Sequence, residues 1–275
     1  MKTRVLAGLA VFLLAVLMFT LPITYFYIIF LLLAVTCCYE FMHMLEISGF
    51  TPMKKIAYIW TVLYVVVIYN FEHGILWSKN ALGGQDYLLA IAFLCMALLI
   101  GTVFSRGRKH DFKSFAYTLA GCIYSVVLLG FAVGIIEMEM GKWLLAYVVL
   151  GGVATDTFAY FTGYFLGKRK ILPEVSPKKT IEGSIGGYIG CALVIVGFSF
   201  IMKSVTGVMP ATWKIVVIAL TAGIYSQIGD WCASFIKRHF KIKDFGKLIP
   251  GHGGLLDRLD SIIFLAPLLF LIFVI

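Results

Sequence analysis

Along the chain, long apolar runs alternate with short polar interruptions, and this spacing sets the first expectation. A stretch of roughly 17 to 25 apolar residues can cross the hydrocarbon core of a bilayer as an α-helix. Nine such stretches are predicted, at about residues 4–20, 22–39, 56–70, 84–104, 114–136, 143–167, 184–203, 211–233 and 256–275. The first two are separated only by Pro22, and "MKTRVLAGLAVFLLAVLMFT" also has the basic start and apolar middle of a signal peptide. No small-x-small cleavage site closes it cleanly, so it is read as a retained span. The prediction is an all-α, polytopic integral membrane protein built as a single transmembrane domain. Its N-terminal helices run to about residue 140, and the helices and loops carrying most of the chemistry follow from about 141 to 275. Residues 38–55, "CYEFMHMLEISGFTPMKK", have mixed polarity and a basic end. They are expected to lie along the cytoplasmic interface, with Glu40, His43 and Glu46 on a solvated helix face.

Composition removes the soluble alternatives. Hydrophobic residues make up 61% of the chain and charged residues 13%, and the mean hydropathy is +0.97, far outside the range of soluble domains. Charge then gives the orientation, because short cytoplasmic loops carry the Lys and Arg excess. With the N-terminus inside, the cytoplasmic groups are Lys2 and Arg4, Lys54 and Lys55, the cluster Arg106 to Lys113, the cluster Lys168 to Lys179, and the cluster Lys237 to Arg258. Together they hold all of the 23 basic residues except Lys79, Lys142, Lys203 and Lys214. The net charge of +9 is therefore one-sided and suits an anionic leaflet, not a nucleic acid. Six cysteines, Cys37, Cys38, Cys95, Cys122, Cys191 and Cys232, fall in or beside apolar spans without C-x-x-C spacing and read as small hydrophobes.

Three polar clusters stand out. Asp156 sits in the middle of an apolar span, where an ionisable side chain normally faces a polar cavity or a partner. Thr155, Thr157 and Tyr160 would equally suit a structural hydrogen bond there, and Gly151, Gly152, Ala154, Ala159 and Gly163 would allow close helix packing. The loop "KRKILPEVSPKKTIEGS" follows. Its Lys178 and Lys179 can hold phosphate as point charges, with Thr180 and Gly183 leaving backbone donors accessible; a positive-inside loop would need the lysines alone. In the third cluster, Ser226, Asp230, Ser234 and Lys237 recur at helical spacing on one face. Beyond them Asp257 and Asp260 share a face at the start of the last helix. Gly251, Gly253 and Gly254 permit close backbone approach, and a helix start offers unpaired N–H groups and a positive dipole end to phosphate. Carboxylates beside such a place suit Mg2+, which bridges a few protein carboxylates to substrate phosphates.

The stretch "SFIKRHFKIKDFGKLIPGHGGLLDRLD" resembles the signature of the phosphatidate cytidylyltransferases, or CDP-diacylglycerol synthases, at every fixed position, and "DTFAYFTGYFLGK" and "SPKKTIEG" resemble other segments of that family. The resemblance implies conversion of CTP and phosphatidate to CDP-diacylglycerol and pyrophosphate with Mg2+. It implies Asp230 and Asp257 as principal metal ligands, with room for a second, monovalent cation such as K+, and Asp260 and Asp244 in accessory metal roles. Lys237, Arg238, Lys243 and Arg258 would neutralise phosphates, and Ser234 would donate a hydrogen bond. His252, Gly253 and Gly254 would cradle phosphate or pyrophosphate. Lys178, Lys179 and Thr180 would complete the substrate pocket, with Asp156 orienting one of the lysines; Arg258 has a structural alternative. The resemblance further implies a bacterial inner membrane, membrane lipids as surroundings, a cytoplasm-facing site and a homodimer. Two other activities fit part of the pattern. A CTP-dependent polyprenol kinase shares some of these motifs, and a cation-coupled secondary transporter would use Asp156 and Asp230 within the membrane.

Overall fold

The structure, a computed structural model, describes residues 21–73, 86–104, 110–249 and 253–275. The first predicted span, the basic residues Lys2, Arg4, Lys79, Arg106, Arg108 and Lys109, and the loop residues Pro250, Gly251 and His252 lie outside the described residues.

Helices follow the remaining apolar runs: α1 (Ile23–Ile47), α2 (Lys54–His73), α3 (Asp86–Phe104), α4 (Phe112–Ile136), α5 (Gly141–Leu166), α6 (Ile181–Thr206), α7 (Thr212–His239) and α8 (Leu256–Val274). Among the described residues, five of them, α1 and α4 to α7, are long and apolar enough to cross a membrane. Two expectations are corrected. The 38–55 segment is not an interfacial stretch over its whole length, because α1 continues to Ile47 and buries Cys38, Glu40, Phe41, Met42, Met44 and Leu45. The loop after α5 contains an antiparallel hairpin, β1 (Lys170–Leu172) with β2 (Ser176–Thr180), in register Lys170 to Thr180 and Leu172 to Ser176.

Two compact units result. The first comprises residues up to Gly130 together with Phe240–Asp257. Here two aromatic clusters pin the segment that follows α7. Phe240 packs edge-on against Phe50 and Tyr117, each with ring centroids 5.6 Å away, and Phe245 packs against Phe41 and Tyr124 at 6.0 and 6.3 Å. Phe245 is 1% exposed, a burial that contributes on the order of 1.5–3 kcal/mol. A π-helical turn at Ile123–Val127 presents Tyr124 to this cluster. Asp111 caps α4, accepting the Ser114 amide at 2.8 Å, and that hydrogen bond holds its carboxyl below the usual range.

The second unit comprises Phe131–His239 and Arg258–Ile275. Its largest helix contact is α5 on α6, made through glycines. A Cβ on Gly187 would stand 2.8 Å from the Thr155 carbonyl oxygen, and one on Gly190 only 2.1 Å from Phe158. Small residues let two backbones approach where the surrounding solvent gives apolar side chains no reason to associate. The small residues of α5 serve the same end: Gly152 receives Ser261 and Leu265 of α8, and Gly163 receives Thr180. At the far end of this unit the Lys214 ammonium donates to the Phe273 carbonyl at 2.9 Å, a cation at the C-terminus of α8.

Candidate active site

In the second unit, three carboxylates come from three helices. Asp156 is on α5, Asp230 on α7 and Asp260 on α8. Asp156 lies within electrostatic reach of Asp230, Lys179 and Arg258, and Asp260 within reach of Asp230, Lys237 and Asp156. Strand β2 supplies the cation between them. Alternation along the strand turns Lys178 outward and Lys179 inward, where the Lys179 ammonium donates to Asp230 Oδ2 and stands 5.9 Å from the centre of the Trp231 ring. The Ser261 hydroxyl approaches Asp156 at 3.5 Å. Ser226, Ser234, Lys237 and Arg238 all stand on α7 with Asp230. The buried Ser226 hydroxyl and Trp231 indole N–H have no hydrogen-bond partner among the described residues.

The hairpin also fixes Thr180. Its hydroxyl oxygen caps α6 by accepting the Gly183 amide at 3.1 Å, so that donor is used structurally and is not open to a ligand. Glu182 accepts the Lys168 and Arg169 amides at 3.0 and 3.2 Å and holds the hairpin entry to the helix start. Beside this corner a cavity of about 250 Å³ is lined by Ile185, Tyr188, Ile224, Gln227 and Trp231. The Gln227 amide donates to the Ser184 carbonyl at 3.0 Å, tying α7 to α6.

The first unit holds the remaining signature residues. Lys243 and Asp244 are exposed on a cavity of about 560 Å³, together with Tyr39, Glu40, His43 and Lys247. Gly253 adopts φ +83°, where a side chain would be strained, and an added Cβ would meet Asp257 Oδ2 at 3.0 Å and Asp244 at 3.3 Å. Asp257 is buried, and its Oδ2 accepts the amides of Phe245 and Gly254, both at 2.9 Å. The expected open helix start is narrowed here. Leu255 and Leu256 donate their amides to Glu40 Oε1 and Oε2 at 2.9 and 2.8 Å, so these two donors, before and at the start of α8, are taken by a carboxylate. Glu40 is thus no part of a solvated face, being 3% exposed. His43 and Glu46 are exposed, and Glu46 pairs with Lys54 at 2.8 Å on the surface.

Among the described residues no three His, Cys, Asp or Glu side chains form a group that could hold a metal ion. The carboxylates of Asp156, Asp230 and Asp260 are hard oxygen donors of the kind a divalent cation takes, and Lys179 holds Asp230 among them. Mg2+ takes only one or two protein carboxylates and completes its shell with water and substrate phosphates. The six cysteines are free, four of them buried.

The cytidylyltransferase family profile matches residues 2–275. Proteins named phosphatidate cytidylyltransferase from Staphylococcus haemolyticus (strain JCSC1435), Staphylococcus saprophyticus (strain ATCC 15305) and Staphylococcus aureus (strain COL) are 38%, 37% and 37% identical to this chain over 182 residues. The aligned stretch is 66% of this chain and 66% of each relative, just under two thirds of their length.

Proposed function

The chain belongs to the cytidylyltransferase family, and from that premise we propose that it is a phosphatidate cytidylyltransferase, forming CDP-diacylglycerol and pyrophosphate from CTP and phosphatidate. The observation that carries this reading is the Asp156, Asp230 and Asp260 cluster with Lys179, Lys237 and Arg258 around it in one unit. Carboxylates interleaved with fixed cations suit a reaction in which polyphosphate charge must be gathered and redistributed.

The phosphatidate phosphate is already an anionic nucleophile near neutral pH. Its oxygen bonds to the α-phosphorus of CTP, the bridge to the β-phosphate breaks, and the electron pair leaves with pyrophosphate. No strong general base is needed, so positioning and charge neutralisation carry the catalysis. Lys179, Lys237 and Arg258 would neutralise phosphate oxygens, with Arg238 and Lys243 as further candidates, Ser234 would donate a hydrogen bond, and His252 and Gly253 would receive phosphate, the Gly254 amide being held by Asp257. Lys178 lies further out on the same hairpin, where it adds to the field that draws CTP in. The resemblance to the family makes Asp230 in the second unit and Asp257 in the first each a candidate to hold Mg2+, with Asp260 and Asp244 as accessory candidates and K+ as a candidate second cation. When bound, the cation orients the phosphates and screens their charge.

The same reading gives nine spans in a bacterial inner membrane, with the N-terminus, the basic loops and the site on the cytoplasmic side and a homodimer as the working unit. The one-sided distribution of the basic residues supports that orientation. The test is purified protein with phosphatidate, CTP and Mg2+. Wild type forms CDP-diacylglycerol, whereas Asp230→Ala and Asp257→Ala insert normally and form none. Full activity in both variants would overturn the metal assignment.

A further inference from the structure

Two carboxylates and four backbone amides meet where α8 begins, and one carboxylate comes from α1, more than two hundred residues earlier in sequence. Each oxygen of Glu40 accepts one amide, from Leu255 at 2.9 Å and Leu256 at 2.8 Å. Asp257 Oδ2 accepts the amides of Phe245 and Gly254 beside it. Burying a carboxylate at 3% exposure is unfavourable unless its oxygens are satisfied. Here both are, by charge-assisted bonds at the positive end of a helix. The backbone is cut to fit: a Cβ on Gly246 or on Gly254 would stand 2.4 Å from a Glu40 oxygen.

We propose that Glu40 is a positioning residue for the cytidylyl transfer. Its carboxylate fixes the backbone of Gly254, Leu255 and Leu256, and through that backbone sets the direction of the Asp257 carboxylate. Phe41, the next residue, packs on Phe245 at 6.0 Å, so one turn of α1 grips both ends of the loop that Asp257 closes. Glu40 touches no reacting atom in this account; it acts through Asp257. The inference rests on the transferase reading of the site.

Two variants test it from opposite sides. Glu40→Gln keeps the shape but leaves one accepting oxygen, and its NH2 faces a backbone amide that also donates. Gly246→Ala keeps Glu40 and pushes its carboxylate aside. Each full-length variant is assayed for kcat and KM with CTP and phosphatidate, for thermal unfolding, and for hydrogen–deuterium exchange in the peptide covering residues 253–258. Both are expected to exchange faster in that peptide and to lose kcat by about 10- to 100-fold, with KM for CTP little changed. Unchanged exchange in both would overturn the contact itself. Faster exchange with wild-type kcat, or a loss of rate matching the loss of folded protein, would overturn the positioning role. Should Glu40→Gln fail to accumulate, Gly246→Ala carries the same readouts. The exchange result does not depend on activity, so failure of the transferase reading is seen separately, as absence of CDP-diacylglycerol from wild type.

Discussion

Replacing Lys179 by methionine removes one positive charge and almost no volume beside Asp230 in the second unit. The ammonium donates to Asp230 and stacks over Trp231, and Asp156 also feels its charge. A charge-assisted hydrogen bond contributes about 1.5–3 kcal/mol, and a cation–π contact about 0.5–1 kcal/mol. The side chains of Lys179 and Asp230 remain 27% and 24% exposed. Solvent screens the pair, so the expected net loss of stability is about 1–2 kcal/mol. The loss of activity is expected to be larger, because removing one preorganised donor to a developing charge costs about 10²- to 10³-fold in rate. Lys178→Met, on the outward side of the same strand, is expected to cost clearly less. The assay pairs unfolding midpoints of the detergent-purified variants with initial rates of CDP-diacylglycerol formation. A wild-type rate in Lys179→Met would refute the electrostatic reasoning. A rate reduced only in proportion to folded protein would leave Lys179 as a structural partner of Asp230.

Three further outcomes follow from named contacts. Asp257→Asn retains an oxygen for the Phe245 and Gly254 amides but loses the charge; CDP-diacylglycerol formation is expected to fall with little change in unfolding midpoint, whereas Asp257→Ala lowers both. Gly187→Ala forces a methyl to within 2.8 Å of the Thr155 carbonyl oxygen and is expected to destabilise the α5–α6 pair by about 1–3 kcal/mol, read by thermal unfolding. Lys214→Met removes the donor to the Phe273 carbonyl and is expected to cost about 1 kcal/mol of stability while leaving turnover unchanged.

Hydropathy made the helices legible because a bilayer imposes one length on any segment that crosses it, and α4 to α7 follow the predicted runs closely. Local rules failed where partners are distant in sequence. Glu40, His43 and Glu46 share helical spacing, and nothing nearby says that Glu40 meets amides 215 and 216 residues away while the other two stay exposed. The same blindness hid that the Leu255 and Leu256 amides at the start of α8 already have a partner. Strands as short as β1 and β2, with Pro177 and two lysines in one of them, carry no period long enough to read. Asp156 and Asp230 were legible as candidates because charge deep in an apolar run is unusual. The role of Trp231 was not, since an aromatic beside a membrane helix end has many ordinary uses.

The account turns on which phosphorus of CTP is attacked. Wild-type protein in phosphatidate-containing vesicles with Mg2+ is given CTP labelled at either the α- or the γ-phosphate, and the lipid and soluble products are separated. The account predicts α-label in the lipid, as CDP-diacylglycerol, and γ-label released as pyrophosphate. Transfer of γ-label to a lipid acceptor with release of CDP, or no CTP-dependent lipid product at all, would contradict it.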